Sequence, residues 1–226
     1  FFDYDLDGRE DIFVANGHII DNIQQLGSIS TYQQRDFVFR NTGGGVFMEV
    51  GASLGEAVGR ENVARGAAPG DFDNDGDLDL MVCNYVIWSK DFDLSQNFQL
   101  TGGGRAYGRP QDFDGTHLYL YRNNGDGTFT DVTKSVGLEG RGWSSDAAVF
   151  DFDDDGDQDV LVACMFGRAQ LYRNDNAKFT DVTLETLGRT SWGGMGVKVF
   201  DAHNDSRLDI LIADMHSDMW MGLDLR

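Results

Sequence analysis

The chain has 226 residues, with 38 Asp or Glu against 18 Lys or Arg, and its formal net charge at pH 7 is −20. A chain this acidic lacks the basic surface that phosphate binding requires, which argues against nucleic acid as a partner. No apolar run approaches the length of a membrane span. The many glycines and few prolines, with 12% aromatic residues, are typical of a packed β protein with tight turns.

The first predicted element is an acidic loop at residues 3–11, in which Asp recurs at alternate positions around one glycine. The pattern returns at 71–79, at 151–159 and, in weaker form, at 201–209. A hard divalent cation takes six to eight oxygen ligands at roughly 2.3–2.6 Å. Carboxylates at loop positions 1, 3, 5 and 9 and a main-chain carbonyl at position 7 can supply them. The repeat therefore predicts several calcium sites.

The predicted ligands follow from this numbering. Glycine at position 6 allows the sharp turn, whereas the fourth loop has His203 at position 3 and Ser206 at position 6, so we expect that loop to bind weakly or not at all. The predicted set is Asp3, Asp5, Asp7, Arg9 and Asp11; Asp71, Asp73, Asp75, Asp77 and Asp79; Asp151, Asp153, Asp155, Asp157 and Asp159; and Asp201, Asp205 and Asp209.

Two other interpretations compete with this one, and the sequence argues against the first. An EF-hand needs a bidentate Glu at position 12 and a helix on each side. Here position 12 is apolar and lies in a short β-type run, so the loop leads into a buried strand (Val14, Val82, Val162, Ile212). The second interpretation is an acidic, solvated turn, because Asp and Gly are common in turns.

A second signature predicts β-hairpins at residues 38–50, 120–133 and 171–183. Combined with the loops, it defines a unit of four strands with the loop between the first and second. The units cover approximately 1–50, 63–133, 143–183 and 193–226 of one region, 1–226. Their period is close to that of β-propeller blades. The first unit starts near a second strand and the last unit stops after one, so we predict about four blades of a larger ring of around seven; a small ring of four or five blades is the alternative.

Several stretches resemble the FG-GAP/VCBS repeat family and, more narrowly, its ASPIC/UnbV (cartilage acidic protein-like) group. They are Phe2–Gly8 with Val14–His18, Gly66–Phe72 and Leu118–Gly127. The resemblance implies an all-β propeller fold and calcium held between first and second strands. It also implies an extracellular or periplasmic location and a role of the cell-adhesion type.

The leading functional hypothesis is a calcium-stabilised, non-catalytic binding or scaffold module. It would contact a protein or glycan through segments inserted at about 17–35 and 89–116. One alternative is a polysaccharide lyase-like enzyme that uses His117, Arg105 or Arg109. Another is a subunit of a larger assembly, joined through exposed strand edges. Other residues receive structural roles: turns for His18 and His216, packing or contacts for Trp88, Trp192 and Trp220, and free buried thiols on opposite strand faces for Cys83 and Cys164.

Overall fold

The structure is a computed structural model that describes residues 1–18, 23–104 and 112–215. These residues form antiparallel β-sheets connected by turns and short helices, which confirms the predicted all-β class. In this part of the chain, no helix combines the length and the apolar character that a bilayer crossing requires.

The first sheet has three strands in the order β1-β3-β4. Strands β3 and β4 form the first predicted hairpin, and Gly43, Gly44 and Gly45 at its turn all have positive φ. Short 3₁₀ helices occur at Ile23–Leu26 and Gly51–Ser53. The strands are β1 (Ile12–Val14), β2 (Gln34–Arg35), β3 (Phe37–Gly43) and β4 (Val46–Glu49).

The second sheet has four strands in the order β6-β7-β9-β10. Its first two strands flank the acidic loop at 71–79, and its last two form the second predicted hairpin. The elements are α1 (Glu56–Gly59), β5 (Glu61–Asn62), β6 (Ala64–Gly70), β7 (Asp79–Asn84), α2 (Lys90–Ser95), β8 (Thr116–His117), β9 (Tyr119–Asn123) and β10 (Phe129–Asp131).

The third sheet repeats this arrangement in the order β12-β13-β14-β15. The fourth sheet contains two strands that flank the loop at 201–209. Two-residue strands also pair between neighbouring units, β2 with β5 and β8 with β11, which sequence analysis did not predict. The remaining elements are β11 (Arg141–Gly142), β12 (Ser144–Phe150), β13 (Asp159–Cys164), β14 (Gln170–Asn174), β15 (Phe179–Asp181), α3 (Thr183–Thr186), β16 (Gly194–Phe200) and β17 (Asp209–Asp214).

The four sheets stack face to face in chain order, with an apolar cluster between each pair. Strand β7 is buried on both faces: Leu80 and Val82 face the first sheet, whereas Met81 and Cys83 face the third. The first strands also pack closely, because an added Cβ at Gly66 would lie 2.6 Å from the Ser145 carbonyl oxygen. Among the described residues, no apolar cluster joins the first sheet to the fourth.

The stacking of the sheets changes what the opposite strand faces of Cys83 and Cys164 imply. Their thiols are free and buried, as predicted. They point from opposite faces of equivalent strands, yet both belong to the cluster between the second and third sheets. Opposite faces of successive sheets meet in a stack, so facing direction alone does not separate the two thiols.

Candidate metal sites in the aspartate loops

Each acidic loop has the same backbone conformation. Position 6 has positive φ in all four, at 81° for Gly8, 92° for Gly76, 94° for Gly156 and 65° for Ser206. Sequence analysis missed a second left-handed residue at position 4: Leu6, Asn74, Asp154 and Asn204, with φ between 53° and 61°. The signal was available, because Asn and Asp adopt this conformation more readily than other non-glycine residues.

Leu6 is poorly suited to its left-handed conformation. We expect Leu6→Asn, which copies the second and fourth loops, to raise the free energy of unfolding by about 1 kcal/mol because it relieves backbone strain. Leu6 is 56% exposed, so little packing is lost. Urea denaturation in EDTA measures the effect. Leu6→Ala keeps the strain and is the control; equal stability of the two variants would contradict the explanation.

Acids at loop positions 1 and 5 shape the loop itself. In the second loop the Asp71 carboxylate accepts the N–H groups of Asp75 and Gly76, both at 3.1 Å, and Asp75 accepts that of Asp77 at 3.0 Å. The same bonds recur in the other three loops. These acids therefore have a structural role that requires no ion, and they hold carboxylates in place for one.

The position 9 aspartate connects the loop to the sheet. Asp159 is completely buried; its two oxygens accept the N–H of Phe152 at 2.9 Å and of Asn174 at 2.7 Å. Asp11 and Asp79 are equally buried and make the corresponding bonds, to the N–H groups of Tyr4 and Asn41 and of Phe72 and Asn123. Sequence analysis predicted these residues only as ligands and missed their asparagine partners in the third strands.

Three of the four loops bring carboxylate oxygens together. One oxygen from each member lies within 4.8 Å of the others in Asp3, Asp5 and Asp11; in Asp71, Asp73 and Asp75; and in Asp151, Asp153 and Asp159. The position 3 oxygens point to a missing partner, since Oδ1 of Asp5 and Oδ1 of Asp73 are buried without a hydrogen bond. These all-oxygen sets fit a hard divalent cation.

The other predicted ligands fall outside these sets. Asp7, Asp79 and Asp155 are not members of their loop's converging group. The carbonyl roles of Arg9, Asp77 and Asp157 stay predictions. The Asp157 side chain instead joins two sheets, accepting hydrogen bonds from Asn74 Nδ2 and the Asn176 N–H, both at 2.7 Å.

Crowding and burial disfavour the charged forms of the loop carboxylates. Burial raises the pKa of Asp79 to about 7. Burial and then repulsion from Asp75 raise the pKa of Asp73, and burial and then repulsion from Asp155 raise that of Asp153. Burial likewise raises the pKa values of Asp11 and Asp159. A bound cation would offset both effects.

Arginines from the third strands reach toward the loops. In the first loop Arg40 Nη2 lies 2.7 Å from Asp5 Oδ2 and 3.4 Å from Asp7 Oδ2, and Arg9 pairs with Asp7. The equivalent Arg173 pairs instead with Asp175 at 3.0 Å. Sequence analysis treated this recurring Arg-Asn pair as part of the hairpin alone. An ion in the first loop would either share the Asp5 carboxylate with the Arg40 guanidinium or displace the guanidinium from it.

The fourth loop differs from the other three in the arrangement of its carboxylates. Asp201, Asp205 and Asp209 do not form a converging group among the described residues. His203 Nδ1 lies 2.9 Å from Asp209 Oδ2, and this hydrogen bond lowers the pKa of Asp209. The same oxygen accepts the Ala202 N–H at 2.9 Å, as the position 9 carboxylate does in the other loops, so His203 is an additional contact to it. Whether this loop binds an ion stays a prediction.

The other candidate residues are scattered. His117 lies in β8 with its ring 4.9 Å from that of Tyr119, and His18 follows β1, its N–H donating to the Tyr32 carbonyl. Trp88 packs beside an apolar cluster, whereas Trp192 is 37% exposed. The residues Arg105, Arg109, His216 and Trp220 lie outside the described part of the chain, so the roles predicted for them stay predictions.

Comparison with known proteins places these loops in a family. A family model described as FG-GAP-like repeat matches residues 3–82, 108–162 and 151–212. The chain is also similar to cartilage acidic protein 1 of Mus musculus, with 25% identity over 202 residues that cover 73% of this chain and 31% of the relative. For the protein of Xenopus tropicalis the identity is 24% over 251 residues, which cover 92% of this chain and 37% of the relative. For the protein of Homo sapiens the identity is 25% over 202 residues, which cover 73% of this chain and 30% of the relative.

The chain therefore spans about a third of the length of these curated relatives. The family model covers all four acidic loops and most of the strands that flank them. With cartilage acidic protein 1 as a distant relative, this chain belongs to the FG-GAP-like repeat family.

Proposed function

We propose that the chain is part of an extracellular, calcium-stabilised β-propeller that acts as a non-catalytic scaffold. The observation that carries the proposal is the convergence of carboxylates at the same place in three successive units. Calcium is the expected ion because the donors are oxygens on short, acidic loops. By bridging these carboxylates, calcium would hold the turn between the first two strands of each blade.

Sheet stacking supports the propeller. Successive four-stranded sheets pack face to face, as blades do. The outer faces at both ends of the row carry exposed apolar side chains: Phe37 (38%) and Phe47 (40%) on the face of the first sheet opposite Val38, and Leu211 (55%) on the fourth. Further blades of a ring of around seven would cover these faces. The proposed location is outside the cell, where calcium is plentiful enough for sites of this class, with a Kd on the order of 0.1–1 mM.

The segment inserted after β7 supports a contact role. Helix α2 begins with Ser89 as its cap, and Phe92 (44% exposed) and Leu94 (49%) stand out from it. Leu100 nearby is 58% exposed. Apolar side chains grouped on an inserted segment are typical of a surface that binds a protein or glycan.

Chelation tests the calcium proposal. We expect the melting temperature of the chain to rise from EDTA to a hundredfold excess of calcium over Kd, by about 5–10 °C for each occupied site, since each site adds about 2.7 kcal/mol. Calorimetry measures the shift, with magnesium at equal ionic strength as the control. Identical melting curves in EDTA and calcium would refute the proposal.

Counting bound ions with radioactive calcium locates them. The expected number is three. Asp75→Asn should remove one ion, whereas the matched Asp205→Asn in the fourth loop should remove none. The double change His203→Asp with Ser206→Gly rebuilds the fourth loop and should add one. If the number of bound ions is the same in all three variants as in the wild type, calcium binds elsewhere.

A further inference from the structure

Polar side chains interrupt the apolar interface between the first two sheets. Asp36 is completely buried and Asn84 is 2% exposed. Side chains two residues apart on a strand lie on the same face. Val38 follows Asp36 by two residues and Val82 precedes Asn84 by two. Both valines belong to the apolar cluster of this interface, so Asp36 and Asn84 face it as well. Asp36 therefore continues the inward-facing side chains of β3, and Asn84 continues those of β7, in the same core.

Tyr121 belongs to the apolar cluster of the same interface, and Asn62 contacts it. Asn62 Nδ2 donates to the Tyr121 hydroxyl at 3.4 Å, and its strand β5 pairs with β2, which directly precedes Asp36. Burial raises the pKa of Tyr121, and the carboxylate of Asp36 raises it further, so the two groups are within electrostatic reach. We call the space defined by Asp36, Asn62, Asn84 and Tyr121 the interface pocket.

The next interface supplies the apolar counterpart. At the positions equivalent to Asp36, Asn84 and Tyr121, the second and third sheets have Leu118, Cys164 and Tyr172, which all belong to one apolar cluster. Gly142 stands where the first interface has Asn62, and an added Cβ there would lie 3.3 Å from Cys164 Sγ. Tyrosine occupies one of the four positions in both interfaces, whereas the other three are polar in the first interface and are Leu118, Cys164 and Gly142 in the second.

Three polar atoms of the interface pocket have no partner. Asp36 Oδ1 accepts the Asn16 N–H at 2.7 Å, but Asp36 Oδ2 is buried without a hydrogen bond. Both amide atoms of Asn84, Oδ1 and Nδ2, are also buried and unpaired. Buried polar atoms are nearly always satisfied in native proteins, because leaving them unpaired is costly.

We propose that the interface pocket binds ordered water that bridges Asp36 and Asn84. Water can donate to Asp36 Oδ2 and to Asn84 Oδ1 while it accepts from Asn84 Nδ2, so it satisfies all three atoms. A cation would leave the amide nitrogen unpaired. The bound water joins the start of β3 to the end of β7 and thereby fixes the first sheet against the second. This site is independent of the calcium loops.

A high-resolution crystal structure of the chain tests the proposal directly. We expect density within hydrogen-bonding distance of Asp36 Oδ2 and the Asn84 amide, without anomalous signal after a thallium soak. A thallium peak there would identify a cation site and overturn the proposal. A dry pocket, with the Asn84 amide paired to protein, would overturn it too.

A double-mutant cycle tests the bridge in solution. Asp36→Leu and Asn84→Cys copy the residues of the next interface, so the double variant should fold and lose the water. If one water links the two side chains, the effects of the two single variants on the unfolding equilibrium constant are not independent. The effect of the double variant should then differ from the product of the two single effects by at least about threefold. Multiplicative effects would show that the residues are not linked. The wild-type crystal structure decides the question if a variant does not fold.

Discussion

Replacing Asp159 by alanine should lower the free energy of unfolding by about 2–4 kcal/mol, even in EDTA. The side chain is completely buried and accepts two main-chain N–H groups, from Phe152 in the loop and Asn174 in β14. Alanine leaves both donors unpaired, one of them in the core at Asn174 and one at the half-buried Phe152, and hydrogen bonds to a charged group contribute about 1.5–3 kcal/mol each. The raised pKa of Asp159 reduces the loss, because the native state already bears a cost for this buried charge.

The fourth loop provides the matched control. Asp209 holds the same loop position and accepts the Ala202 N–H at 2.9 Å, but its side chain is 38% exposed. Its other oxygen has no asparagine donor among the described residues, and its contact with His203 is a surface pair. Asp209→Ala should therefore lower the stability clearly less than Asp159→Ala does. Urea denaturation of both variants in EDTA compares them; equal losses would show that position 9 acts mainly through the ion.

The dual role of position 9 shows where sequence reasoning stops. The alternating acids and the glycine were enough to identify four loops and the strands that follow them. The second donor to Asp79, however, comes from Asn123, 44 residues later in the chain. The recurring Arg-Asn pair was visible in the hairpins, but its contact with the loop depends on the pairing of β7 with β9, which local pattern does not specify.

The same limit applies to the fold. Hairpin turns and buried strands are local features, and they lie where the sequence predicts them. The contacts between sheets are not local: the pairing of β2 with β5 joins residues that lack a strand pattern of their own. Asp36 stands at a position that is apolar in the second unit, Leu118, and only the stacked sheets reveal that it is buried at the same interface as Asn84. Polar exceptions in a core therefore become informative once the units are compared in three dimensions.

Calcium should reverse the pH dependence of stability between about pH 5 and 7.5. Without calcium, burial raises the folded-state pKa of Asp79 to about 7, and those of Asp73 and Asp153 move in the same direction. The folded state then holds more protons than the unfolded state, whose aspartates titrate near pH 3.9. Stability must therefore fall as the pH rises through this window, by up to about 2 kcal/mol for Asp79 once solvent relaxation is included.

Calcium binds the ionised carboxylates, so its stabilising effect grows as these groups lose their protons. We expect the chelated chain to melt at a higher temperature at pH 5 than at pH 7.5, and the calcium-loaded chain to show the opposite order. Carboxylates with lowered pKa values, such as Glu49 and Asp131, change stability only below this window. Asp79→Asn should flatten the slope in EDTA, since it removes the carboxylate with the largest shift among the loops. A chelated wild type that gains stability from pH 5 to 7.5 would contradict the crowding of charge on which the calcium proposal depends.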